Sequence, residues 1–125
     1  MRSPAKPPIL EGPLSDPGST MIENHIRMLL DAPEEGVGAP TLAHIEDMLT
    51  SGYARANALE GEQWRLQRRI VDVALLLADD YNELHAGELR KLARELRAVE
   101  QDLVGIRALI RSLRGRANDV RADAA

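Results

Sequence analysis

The sequence predicts an all-α protein built around a long antiparallel two-helix coiled-coil hairpin, with a short helix on its N-terminal side. Two runs of apolar residues at alternating spacings of three and four indicate two long helices that pack along one line. Aromatic residues make up only 2% of the chain, so a sheet or a broad globular core lacks the bulky residues it needs. All seven prolines lie at or before Pro40, which leaves the remainder free to form uninterrupted helix.

The N-terminal part divides into a tail, a short helix and a linker. Prolines and glycines recur through residues 1–19, so we expect a disordered proline-rich tail. Thr20 and Glu23 have the spacing of a capping box and predict a short amphipathic helix over residues 20–31. This helix is too short to be stable alone, so its apolar face should dock on the long helices or on a partner. The apolar residues of that face are Ile22, Ile26, Leu29 and Leu30.

A turn-rich linker over residues 32–40 separates the short helix from the hairpin, which we expect to span residues 41–116. Thr41 is the predicted N-cap of the first long helix, which should run to about Leu77 or Asp79. The heptad positions of the two long helices define the seam. In the first helix they are Leu42, Ile45, Leu49, Gly52, Ala56, Leu59, Gln63, Leu66, Ile70, Val73 and Leu77, and in the second they are Leu89, Leu92, Leu96, Val99, Leu103, Ile106, Ile110 and Leu113.

The chain should reverse direction where the two heptad runs meet, because polar residues replace apolar ones from Asp79 to Glu83. Asp80 with Glu83 could cap the second helix, and Asn82 could cap it equally well. Gly115 predicts the end of this helix near Arg114 or Arg116, followed by a frayed C-terminus over residues 117–125.

The order of charges favours an antiparallel arrangement of the long helices. Each of them carries acidic residues first and basic residues later along the chain. Reversing the direction of the second helix therefore brings Arg65, Arg68 and Arg69 near the acidic residues Glu95, Glu100 and Asp102.

A second apolar face lies on the first long helix, away from the seam. Residues 70–78 are apolar on every side apart from Asp72, which is typical of a helix contacted by more than one neighbour. Two hairpins could cover this face by forming a homodimeric four-helix bundle; the short helix or another protein could also cover it. The residues that we predict to mediate association are Trp64, Val71, Leu75 and Leu76.

Catalytic, metal-binding and cofactor-binding patterns are not evident in the sequence. His25, His44 and His85 are far apart, and His44 with Asp47 forms only an isolated pair, so we expect no metal site and no cofactor. The sequence has no glycine-rich phosphate loop, and we do not expect an enzyme. The net charge of -4 argues against a main role in coating nucleic acid or a membrane, although the second helix carries arginines at helical spacing.

The acidic tip of the hairpin suggests an alternative function. A long antiparallel hairpin that ends in the carboxylates of Asp79, Asp80 and Glu83 resembles the coiled-coil arm of Gre-type transcript-cleavage factors, which reaches into RNA polymerase. The resemblance covers the hairpin alone and implies a transcription regulator that contacts RNA polymerase through this tip; it does not extend to the cleavage activity.

The sequence as a whole predicts a non-enzymatic structural or adaptor protein that acts through coiled-coil contacts. The absence of cysteine and of a long apolar run favours a soluble, cytoplasmic protein. Of the sixteen basic residues only Lys6 and Lys91 are lysine, which is typical of a GC-rich bacterial genome.

Overall fold

The structure is a computed structural model that describes residues 17–124, and its described part is all-helical, as the sequence predicts. Helix α1 spans Pro17–Asp31, α2 spans Leu42–Asp79 and α3 spans Glu83–Ala124. The predicted disordered tail falls mainly on residues 1–16, outside the described residues, whereas residues 17–19 belong to α1.

The chain divides into two compact units. Within the described residues, unit 1 contains α1, the linker, the first part of α2 up to Ala56 and the part of α3 from Gly105 onward. Unit 2 contains residues Asn57–Val104, that is, the remainder of α2, the turn and the first part of α3.

Helix α1 begins one turn earlier than the sequence predicts. Its first residue is Pro17, so Thr20 lies inside the helix and the predicted start at Thr20 is wrong. Proline suits the first helical position, because an amide at this position makes no hydrogen bond within the helix and its absence costs nothing. The proline ring also fixes φ near the helical value. The end of α1 at Asp31 agrees with the prediction.

The seam positions are the buried stripe of α2 and α3. Each seam residue is buried or half-buried, and none of them belongs to the exposed class. The seam residues with no exposed surface are Ile45, Val73, Val99, Ile106 and Leu113. The periodicity of three and four therefore identified the buried positions correctly, because an α-helix returns to the same side after about 3.6 residues.

Gly52 allows three helical segments to approach closely in unit 1. A methyl group at this position would lie 3.2 Å from Cγ1 of Ile110 on α3 and 3.5 Å from Cδ1 of Ile26 on α1. A missing side chain on the seam thus makes room for an isoleucine from each neighbouring helix. Ile26 has no exposed surface as a result.

Arg116 joins the last part of α3 to the end of α1. Its guanidinium donates hydrogen bonds to the carbonyl oxygens of Leu30 at 3.0 Å, Ala32 at 2.9 Å and Pro33 at 2.9 Å. The last carbonyl oxygens of a helix accept no hydrogen bond from an amide of the same helix. A cation placed there can donate hydrogen bonds to them and also interacts favourably with the helix dipole. Arg116 is only 9% exposed, which makes it part of the core of unit 1.

Helix α3 continues well beyond its predicted end. The prediction of a stop at Gly115 and a frayed segment over residues 117–125 is wrong, because α3 runs to Ala124. A glycine inside a helix costs only about 1 kcal/mol. Buried contacts of Arg116 and Ala117, and an ion pair between Arg121 and Glu46 at 2.8 Å, hold the chain in helix past that point.

The start of each long helix is capped by a side chain. Thr41 is the N-cap of α2, as predicted, since its Oγ1 accepts a hydrogen bond of 3.1 Å from the amide of His44. Asn82 caps α3: its Oδ1 accepts hydrogen bonds from the amides of Leu84 at 2.8 Å and His85 at 3.3 Å. Of the two capping alternatives in the turn, the structure therefore has Asn82.

We predict that Asn82→Ala lowers the free energy of unfolding by about 1 kcal/mol, because two amides at the start of α3 lose their acceptor. Asp80→Ala is the matched control in the same turn and should change stability by less than about 0.5 kcal/mol. Urea unfolding followed by circular dichroism measures both values. Equal losses for the two variants would contradict the assignment of Asn82 as the cap.

Candidate functional site

The most exposed group of large apolar side chains on α2 lies in unit 2. Trp64 is 59% exposed, Val71 is 56% exposed and Leu75 is 62% exposed. These residues are seven and four positions apart, which places them within about 40° of one another around the helix. We call Trp64, Val71 and Leu75 the outer face. It lies on the side of α2 away from the buried seam residues Leu66 and Val73.

Leu76 was predicted to act with the outer face, but it points in a different direction. It is 47% exposed and follows Leu75 directly, so it is turned by about 100° around the helix axis. One helix can contact a partner along the outer face without touching Leu76. Leu75 and Leu76 are therefore adjacent exposed leucines of which only Leu75 belongs to the outer face.

A shallow groove of about 340 Å³ runs along the outer face. Arg68 forms one wall, with its guanidinium carbon 4.9 Å from the centroid of the Trp64 ring. This distance is typical of a cation–π contact, which orders both exposed side chains. The lining residues are Trp64, Gln67, Arg68, Val71 and Asp72.

The groove has the spacing of a coiled-coil acceptor site. In knobs-into-holes packing, a side chain of one helix enters a hole formed by four residues of the facing helix. Trp64, Gln67, Arg68 and Val71 are at positions i, i+3, i+4 and i+7 and form such a hole. The apolar pattern of the sequence indicates Trp64 and Val71 but not the two polar members, which only the i, i+3, i+4 and i+7 spacing around Trp64 reveals.

The arginines of this region make contacts that differ from those predicted. Arg69 pairs with Glu88 on α3, at 2.7 Å and 3.0 Å, and Arg65 pairs with Glu62 on α2 at 2.6 Å. Glu100, a predicted partner of these arginines, accepts a hydrogen bond of 3.5 Å from Gln63 instead. The guanidinium of Arg68 lies over Trp64.

The predicted contact residues of α1 lie in unit 1. Ile26 and Leu29 are buried, with 0% and 5% of their surface exposed, whereas Ile22 and Leu30 are half-buried. Ile26 faces Gly52 of α2, so this helix docks within the chain. A role of this face in contacts with another molecule stays a prediction.

The residues of the predicted acidic tip are exposed in the turn between α2 and α3. Asp79 ends α2 and Glu83 begins α3, with Asp80 between them. Glu83 accepts a hydrogen bond of 2.9 Å from the hydroxyl of Tyr81. This contact gives Glu83 a local role in the turn.

A second groove, of about 370 Å³, lies in unit 1 between α1, the linker and the start of α2. His25 and His44 are at its rim, and both are exposed. Across residues 17–124 the structure has no group of three or more histidine, cysteine or acidic residues placed to hold a metal ion. None of the helices in this part of the chain combines the length and apolarity required to cross a bilayer.

Comparisons with protein-family models, with curated proteins and with solved structures find no match for this chain.

Proposed function

We propose that this chain is a non-enzymatic structural or adaptor protein, in which α2 and α3 form an antiparallel helical hairpin that binds another helix through its outer face. The observation that carries this proposal is the exposure of Trp64, Val71 and Leu75 on one side of α2, next to a groove with coiled-coil spacing. Large apolar side chains clustered on a surface are typical of an interaction site.

The contacts between the helices of unit 2 support an antiparallel hairpin. Gln63 pairs with Glu100, whereas Arg69, further along α2, pairs with Glu88, which comes earlier on α3. As the residue number increases along α2, the number of the paired residue on α3 decreases, as it does between antiparallel neighbours. The connection over residues 80–82 is short, as hairpins of this kind require.

The proposed partner is a second copy of the chain. A surface that offers both apolar knobs and a hole for such knobs on the same helix is self-complementary, and closed two-fold dimers are the commonest homo-oligomers. Two hairpins associated through their outer faces place four helices side by side. The dimer is therefore a four-helix bundle, with the seam of each copy inside its own hairpin.

The test is to compare Leu75→Glu with Leu76→Glu. Burial of a leucine contributes about 1.5 to 3 kcal/mol, and a two-fold dimer buries Leu75 twice, so Leu75→Glu should raise the dissociation constant by about 100-fold or more. Leu76→Glu changes a neighbouring exposed leucine off the outer face and should alter the dissociation constant far less than Leu75→Glu does. Light scattering over a concentration series gives the mass of each variant.

Circular dichroism should show the same helix content in both variants, because both side chains are exposed. A monomeric mass of the unchanged chain at all concentrations up to the millimolar range overturns self-association. Equal dissociation constants for the original chain and Leu75→Glu overturn the assignment of the outer face.

A further inference from the structure

We infer that two copies of the chain pair antiparallel across a two-fold axis next to Val71, so that Leu75 of each copy enters the hole of the other and Arg68 of each copy faces the partner's Asp72. This inference rests on the proposed self-association and specifies its register. It goes beyond that proposal because it assigns a role to two charged residues.

Two holes on the outer face define the register. The first lines the groove and is formed by Trp64, Gln67, Arg68 and Val71. The second is defined by spacing, one turn later on α2: Arg68, Val71, Asp72 and Leu75 have the same i, i+3, i+4 and i+7 relation. If Leu75 enters the first hole, Val71 enters the second. From the first contact to the second, the inserted residue changes from Leu75 to Val71, four positions earlier. The hole that receives it lies four positions later on the partner. Opposite shifts of equal size are what an antiparallel pair of helices requires. One alignment thus fills both holes.

The charges beside the outer face fit the same alignment. Arg68 and Asp72 lie on the same flank of α2 and are one turn apart. A two-fold axis that relates antiparallel helices brings the same flank of both copies together, with opposite chain directions. In this register Arg68 lies within about 4 Å, measured along the helix axis, of the partner's Asp72, because each residue advances the helix by about 1.5 Å. The long arginine side chain spans this offset, and symmetry generates the pair twice.

A second pair follows from the same alignment. Arg65 is one turn before Arg68, and Asp79 lies two turns after Asp72 on this flank; all four residues are in the described part of unit 2. Arg65 then lies within about 3 Å, along the axis, of the partner's Asp79. The flank is thus basic in its first half and acidic in its second half. An antiparallel partner pairs opposite charges along it, whereas a parallel two-fold dimer brings opposite flanks of the two helices together and does not form these pairs.

The test exchanges the charges at the two positions. Arg68→Asp alone and Asp72→Arg alone each give a homodimer with two like-charge contacts, so each should weaken self-association by about tenfold or more. An equimolar mixture of the two variants should form a heterodimer with opposite charges at both contacts and a dissociation constant within about threefold of the original. Analytical ultracentrifugation with a fluorophore on one variant measures the heterodimer directly.

The mixture of Asp72→Arg with Arg94→Asp is the matched control. Arg94 is exposed on α3, so this mixture has the same formal charges, but its heterodimer has one opposite-charge contact and one like-charge contact. We expect it to be weaker than the heterodimer of Arg68→Asp with Asp72→Arg. Arg68→Asp also removes the contact with Trp64, and the rescued heterodimer still lacks that contact in its Arg68→Asp copy, so recovery reports the charge pair.

Each combination of results decides between the two proposals. Recovery in the mixture of Arg68→Asp with Asp72→Arg, together with a weaker heterodimer in the control, supports the register. A dimer of the unchanged chain that Leu75→Glu dissociates, but with no recovery in the mixture, overturns the register and leaves self-association intact. A chain that is monomeric throughout overturns both.

Discussion

Arg116→Met should lower the free energy of unfolding by about 2 to 4 kcal/mol, because a buried guanidinium that serves three carbonyl oxygens is lost. Methionine keeps much of the apolar stem, so the loss is mainly that of the hydrogen bonds at the end of α1. Arg116→Lys should recover only part of the difference, since one ammonium group cannot reproduce the planar fork of donors. Helix α1 should open at a lower free energy than in the original chain.

Urea unfolding followed by circular dichroism gives the change in stability, and hydrogen exchange of the α1 amides shows which part opens. Arg114→Met is the matched control: Arg114 is exposed, two residues earlier on the same helix, and its replacement should change stability by less than about 0.5 kcal/mol. Unchanged hydrogen exchange in α1 of Arg116→Met would show that the three hydrogen bonds do not hold this helix in place.

Gly52→Leu should destabilise unit 1 by about 3 kcal/mol, because its side chain has no room between the neighbouring helices. The first added carbon alone already lies 3.2 Å from Ile110, which is closer than ordinary van der Waals contact, and leucine adds three further carbons. Either α1 or α3 must move to admit them. We expect the displaced element to be α1, because it is much shorter than α2 and α3.

The control is Gly105→Leu, in which the same substitution is made where nothing lies within 4 Å of the added carbon. This variant should gain about 0.5 to 1 kcal/mol, since leucine favours helix over glycine. Thermal and urea unfolding measure the change in the free energy of unfolding, which we predict to be a decrease for Gly52→Leu and an increase for Gly105→Leu. A stabilised Gly52→Leu would mean that the gap beside position 52 is larger than the structure shows.

Much of the fold could be predicted from the sequence because the seam depends on a local rule. The spacing of Ile45, Val73 and Ile106 requires only the helical repeat, and these residues are fully buried. The cap at Thr41 could also be predicted, since it depends on residues within one turn. The start of α1 and the end of α3 could not be predicted in this way. Proline and glycine predict helix ends by a local rule, whereas the contacts that extend α3 come from residues distant in sequence.

The role of Arg116 shows this limit most clearly. A single arginine near the end of a polar helix looks like a solvated residue, and its partners at residues 30–33 are more than eighty positions away. No local pattern links them. Gly52 is a seam position without a side chain, which is compatible with either close approach or loose packing of the helices, and only the positions of Ile26 and Ile110 show that close approach is correct.

The candidate site was predicted in part. Large apolar residues off the seam indicated Trp64, Val71 and Leu75, and the structure exposes all three. Leu76 was grouped with them because residues 70–78 are apolar in nearly every direction, so hydrophobicity alone does not divide them into faces. Gln67 and Arg68 were not recognised as part of the site, since polar residues at the edge of a hole carry no hydrophobic signal.

The link between Arg116 and α1 also has a consequence for the order in which the protein folds during synthesis. Helix α1 is made before α2, but the cation that caps its end is added to the chain more than eighty residues later. A contact of this sequence separation forms only after a large loop has closed, which is slow compared with the growth of a helix. On the growing chain the apolar face of α1 therefore stays partly uncovered until the second half of α3, which contains Ile110, is available. Unit 1 is expected to complete its core only when synthesis has passed residue 116.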